Sequence, residues 1–286
     1  MNPVNSFSQH AFFLTSGPRT LAATLLVPDP AAGAVLFIPP FAEERKGVLP
    51  AFAKVGRALA VRGIASLLFD FSGCGDSSGE FDAFPPETFE ADADAALDWL
   101  SHAFPSIPLA VLGARTGAAI ASRLASRRAD FAGCALWSPV SGPDFLRQLL
   151  QRRMVNDMVA YGKARESRDA LETRLLNGET VDLDGYPFSG AFYAWAQNLA
   201  PEGVAAPVLV ATGGHDERGA AVFAGATRSA LRFPPFWNTV GHVDLSPLID
   251  ETVAWLAARF PNRPSANIFS RTLITAMPLG ELTELS

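Results

Sequence analysis

The chain has 286 residues, 49% of them hydrophobic, enough to bury a large core, and its evenly spread apolar segments predict one domain carrying an insertion. Its 23 basic and 29 acidic residues leave a net charge of −6, which excludes an electrostatic footprint for nucleic acid and a polybasic membrane patch. Two cysteines, Cys74 and Cys134, make no disulfide framework, no run of about 18 apolar residues predicts a spanning helix, and the amino terminus carries no secretory pattern, so a cytoplasmic location is expected.

Residues 11–15 and 20–27 are short apolar strands separated by the turn Ser16-Gly17-Pro18, an antiparallel edge leading into a sheet. Ala34 to Ile38 is a continuous apolar run stopped by Pro39-Pro40, the pattern of a strand buried on both faces. Phe52, Val55 and Leu59 recur at helical spacing through 49–62, and Gly63 ends that helix. A second buried strand, Ile64 to Phe69, runs into the loop Asp70 to Gly79. Phe89, Ala93, Ala96 and Leu100 then mark one face of a helix with acidic residues opposite. This alternation predicts a parallel sheet with helices on both faces.

Pro108 to Ala121 reads as strand, sharp turn and helix, and the turn is Gly113-Ala114-Arg115-Thr116-Gly117. The same junction in α/β-hydrolases is the nucleophile elbow, G-x-S-x-G, which lifts one side chain above the carboxyl edge of the sheet. Here the apex residue is arginine. The strand Cys134 to Trp137 follows and stops at Ser138-Pro139; residues 141–203 then break the rhythm. They hold a long amphipathic segment, the turn-like Val181 to Pro187 and an aromatic helix with Phe192, Tyr193 and Trp195, placed where α/β-hydrolases carry a lid. Over 141–180 the charges are mixed, seven basic to six acidic, as on a solvated face. A strand from Pro207 to Ala211 ends at Gly213-Gly214-His215-Asp216, and a weaker one is expected around Leu231 to Trp237. Ser246-Pro247 opens a final helix with Ile249, Val253, Leu256 and Phe260 on its buried face.

The expected architecture is therefore an α/β-hydrolase fold: a mostly parallel, eight-stranded sheet flanked by helices. Residues 1–140 and 204–260 form the core, 141–203 a helical lid and 261–286 a carboxy-terminal arm. In such a fold the nucleophile, acid and histidine come in that chain order. Asp216 follows a strand beyond the elbow and His242 precedes the last helix, so the two are expected to face each other as acid and base. Arg115 stays protonated and cannot attack a carbonyl, so serine hydrolysis by the usual route is expected to be absent. Cys74, flanked by glycines, and Ser138, at a strand end, are alternative nucleophiles, with Thr116 a third. Four scattered histidines and two distant cysteines give no metal-ligand spacing, and no glycine-rich nucleotide loop follows the first strand, so no metal or cofactor is expected.

Pro39-Pro40-Phe41-Ala42-Glu43-Glu44, the loop Asp70 to Gly79 and the elbow Gly113 to Ala118, in this order, resemble the family called exosortase A system-associated hydrolase 2. The likeness is most specific over 35–120 and looser to 260. The resemblance implies that arginine at the elbow is a family trait, that the source is bacterial, and that the protein is linked to exopolysaccharide production or protein sorting, with a partner in that machinery. The chain departs from the family pattern at Arg45-Lys46-Gly47. In the wider fold the loop after the strand at 34–38 supplies one oxyanion donor, here the backbone N–H of Phe41, and Thr116 supplies the other. Glu43 and Glu44 lie on that loop and, with Asp216, are the candidate partners of Arg115. Three readings remain open: an ion pair that fills the old active site, an arginine that grips an anionic or acyl ligand bidentately, and catalysis through another nucleophile or water activated by His242.

Overall fold

The computed structural model describes residues 6–261, Asp216 and Val240 excepted. Ten residues each in β1 (Phe7–Ser16) and β2 (Arg19–Pro28) pair as an antiparallel hairpin. The next strands are β3 (Gly33–Ile38), β4 (Ile64–Phe69), β5 (Leu109–Ala114) and β6 (Phe131–Trp137). They interleave with α1 (Ala42–Val61), α2 (Thr88–Ala103) and α3 (Thr116–Ser126). Helices α4 (Gly142–Tyr161) and α5 (Arg168–Leu176), the hairpin β7 (Val181–Leu183) and β8 (Tyr186–Phe188), and α6 (Gly190–Ala196) come before β9 (Val208–Ala211). Then follow α7 (Glu217–Ala220), β10 (Thr227–Arg228), a 3₁₀ turn at Phe236–Asn238 and α8 (Ser246–Ala257).

The main sheet has eight strands in the order β1-β2-β4-β3-β5-β6-β9-β10. Strands β4, β3, β5, β6, β9 and β10 are parallel, and the β1–β2 hairpin joins β4 antiparallel. This is the α/β-hydrolase fold expected from the strand rhythm. Every residue of β3 and β5 is buried, which is why both read as unbroken apolar runs. Alternate residues face opposite layers: Val35 and Phe37 pack with Phe52, Val55 and Leu256, while Leu36 and Ile38 pack with Leu100, Ala118 and Leu124. Helices α1 and α8 thus cover one face of the sheet, and α2 and α3 the other.

Two expectations are corrected. No strand forms at Leu231 to Trp237, where Pro234 and Pro235 offer no N–H to a ladder; the sheet closes instead on the two-residue β10. Helix α1 begins at Ala42 and passes through Pro50, so Glu43 and Glu44 sit in its first turn and not in a loop. Carboxylates are favoured there by the orphan N–H groups and the positive end of the helix dipole.

The inserted residues fold onto the core through aromatic rings. Phe41 lies 4.6 Å from Phe89, 6.3 Å from Phe145 of α4 and 5.7 Å from Phe192 of α6. Ser141 caps α4 by accepting from the N–H of Asp144, and Gly162 closes it in the left-handed region. Residues 262–286, most of the expected arm, lie outside the described residues.

Candidate active site

The elbow is built by two glycines that tolerate no side chain. A Cβ on Gly117 would lie 2.3 Å from the carbonyl oxygen of Ile38, and one on Gly113 2.6 Å from that of Gly117. The close approach of β5, α3 and the end of β3 forces the residue between into an unusual conformation: Arg115 has φ 56° and ψ −125°. Such a backbone costs on the order of 1–3 kcal/mol for a non-glycine residue and persists where its surroundings over-determine it. Here the Arg115 N–H donates to the carbonyl of Trp137 at 2.8 Å, and its carbonyl accepts from the N–H of Ala118 at 3.0 Å.

The Arg115 side chain is fully buried, at 0% exposure, and its donors are engaged on several sides. Nε and Nη2 donate to the two carboxylate oxygens of Glu44 at 3.1 and 3.3 Å. Nη2 also donates to Oε1 of Gln148 on α4 at 2.5 Å, and Nη1 to the carbonyl of Ser138 at 3.4 Å. The guanidinium carbon stands 4.3 Å from the ring centroid of Trp237. Fork-to-fork pairing, a neutral acceptor and an aromatic face together satisfy a planar cation that would otherwise be very costly to bury. The elbow apex therefore ties together α1, α4 and the loop carrying Trp237.

The other sequence-predicted residues divide. Glu44 reaches Arg115; Glu43 turns outward, its carboxylate 2.6 Å from Nζ of Lys46. The Phe41 N–H donates to Oγ1 of Thr116 at 3.2 Å, so this donor already has an acceptor. Ser138 is buried, and its hydroxyl donates to the carbonyl of Thr212 at 3.3 Å. Cys74, an alternative nucleophile by sequence, has a buried side chain, and burial pushes its thiol up to about 12, which disfavours the thiolate at neutral pH. His242 is exposed, and among the described residues its imidazole makes no hydrogen bond or ion pair. Asp216 lies outside the described residues. No group of three or more histidine, cysteine or carboxylate side chains suited to a metal occurs among the described residues.

His242 opens into a cleft of about 760 Å³ whose walls include Glu43, Lys46, Lys54, Arg152 and Trp237. Arg115 is not among the lining residues. Trp237 touches both, stacking on the guanidinium and lining the cleft. Sequence reasoning missed Gln148 and Trp237 as partners of Arg115. Gln148 is a polar side chain between the buried Phe145 and Leu149, and a polar residue beside an apolar face is the signal that was there to read.

Residues 29–220 match the family described as serine aminopeptidase, S33. The chain belongs to this family of α/β-hydrolases. No curated protein matches it. Est1E from Butyrivibrio proteoclasticus, solved with ferulic acid bound, is similar at 14% identity and a TM-score of 0.61, covering 86% of this chain and 98% of its own. Dienelactone hydrolase from Anabaena variabilis is 17% identical with a TM-score of 0.54, covering 89% and 99%. Proline iminopeptidase from Mycobacterium smegmatis is 14% identical with a TM-score of 0.54, covering 87% and 96%. At these identities the likeness to solved structures is one of fold, with the S33 match supplying the family.

Proposed function

We propose that this S33-family chain has given up hydrolysis and serves as a ligand-binding pseudo-hydrolase, with 141–203 as a lid over a core of 1–140 and 204–260. The observation that carries the reading is the state of Arg115: at the nucleophile position, fully buried, and held bidentately by Glu44. A guanidinium cannot be acylated at neutral pH, and one so enclosed does not reach a ligand in the cleft without breaking its own pairs. Of the two roles open to Arg115, the geometry favours the structural one. The Phe41 N–H, already donating to Thr116, adds to this, since a tetrahedral oxyanion would have to displace the hydroxyl. Asp216 and His242 are the remnant acid and base of the ancestral triad in this reading. The resemblance to the exosortase-associated family suggests a place beside exopolysaccharide machinery, with a small acyl or anionic molecule or a protein as the bound partner.

The test is covalent labelling. A fluorophosphonate probe is expected to leave the intact protein unlabelled while labelling an active serine esterase in the same tube. Stoichiometric labelling at Ser138, Thr116 or another hydroxyl would contradict the reading.

A further inference from the structure

The cleft beside Trp237 has features that the absence of a nucleophile does not explain. Its volume of about 760 Å³ falls in the range of small-ligand sites. Its walls carry three fixed cations, Lys46, Lys54 and Arg152, against two carboxylates, Glu43 and Asp184, in a chain whose net charge is −6. Both carboxylates are already matched. Glu43 pairs with Lys46, and Asp184 accepts from Nε of Arg152 and, at 2.8 Å, from Nδ2 of Asn156. Lys54 is exposed and makes no ion pair within 4 Å among the described residues; Asp244, between the lining residues Val243 and Leu245, is the carboxylate that feels its charge, so the lining itself carries one more fixed cation than carboxylates.

Arg152 gives the site a built element. Its Nε is held by Asp184 and its Nη1 by Oδ1 of Asn238, which fixes the guanidinium plane, yet its Nη2 is buried without a hydrogen-bond partner among the described residues. An unpaired buried donor is costly, and a turn of the partly exposed Arg152 side chain toward the cleft would let an acceptor oxygen remove that cost. Around it stand groups suited to hydroxyls: the amides of Asn156 and Asn238 and the hydroxyl of Thr239, over a floor that includes Trp237.

We propose that this cleft binds a small hydroxylated organic anion, a sugar bearing a carboxylate or a phosphate, with Lys54 and Arg152 taking the acid group and the amides the hydroxyls. This rests on the reading of the protein as a binder and names its ligand class. Arg115 plays no direct part; Trp237 separates it from the ligand.

The experiment is titration calorimetry of the intact protein with glucuronate, glucose 6-phosphate, glucose and inorganic phosphate. Saturable binding of at least one sugar acid is expected, at least tenfold tighter than glucose and than inorganic phosphate, and the two sugar acids reveal whether carboxylate or phosphate is preferred. Lys54→Glu, an exposed change that leaves folding intact, is expected to weaken binding tenfold or more, and Arg152→Gln to weaken it further. No binding of either sugar acid, equal binding of glucose, or affinity unchanged in Lys54→Glu would each overturn the assignment. Ester turnover measured on the same preparation keeps the two conclusions apart: turnover alongside sugar-acid binding overturns only the non-hydrolytic reading, and silence in both experiments overturns only the ligand.

Discussion

At the scale of residues, Arg115 and Glu44 act as a unit. Removing the cation leaves a carboxylate that is 1% exposed with no counter-charge, so Arg115→Ala is expected to cost about 3–5 kcal/mol of stability, read from urea unfolding. The double change Arg115→Met with Glu44→Leu removes both charges and is expected to recover most of that loss; a double variant no better than the single would show that the pair is not the unit described. Cys74 gives a second prediction. With its thiol pushed up to about 12 by burial, it stays protonated through the neutral range and is expected not to react with a disulfide reagent at pH 7.5 until the protein is unfolded. Rapid labelling of one thiol in the native state would contradict its buried position. Arginine at the apex was legible from Gly113 and Gly117 alone, and Glu44 belonged to a short set of partners. Gln148 left a local trace as a polar side chain on the buried stripe of α4, but its pairing with Arg115 did not, and Trp237 left none, because both approach Arg115 only through the docking of α4 and of the loop before α8.

At the scale of elements, the elbow and α4 carry the testable claims. Gly117→Ala would drive a methyl to 2.3 Å from the Ile38 carbonyl and 2.4 Å from that of Pro39, both backbone atoms, so it is expected to prevent or severely weaken folding, seen as lost soluble protein or a collapsed thermal midpoint. At the start of α4, the hydrogen bond from Arg147 and then that from Ser141 hold the Asp144 carboxyl below the usual carboxylate range. The charged form is the one the fold favours, so its contribution is full above the unfolded value of about 4 and is lost as pH falls through the lower folded value. Asp144→Asn is therefore expected to flatten the fall in stability below about pH 4, measured by thermal unfolding across pH; an unchanged profile would remove Asp144 from the account. The buried strands were readable because parallel strands covered on both faces are apolar without alternation. The error at Leu231 to Trp237 came from weighing apolar content above Pro234-Pro235, and the late start given to α1 from following the apolar period of Phe52, Val55 and Leu59, which the charged first turns of the helix do not show. Pro50 is absorbed inside that helix.

At the scale of the whole molecule, the fold of a hydrolase is retained while the position that defines its chemistry has become part of the core. The sheet order, the elbow geometry and the match to the S33 family over residues 29–220 all belong to an enzyme lineage. The buried ion pair, the engaged Phe41 N–H and the separation of Arg115 from the cleft are the observations behind the proposal of a protein that holds a ligand without breaking it. The most direct test is steady-state turnover of short- and long-chain acyl esters and thioesters by the intact protein beside His242→Ala. Rates equal to the buffer blank for both are predicted; turnover above the blank that disappears with the histidine would contradict the account and restore the site to catalysis.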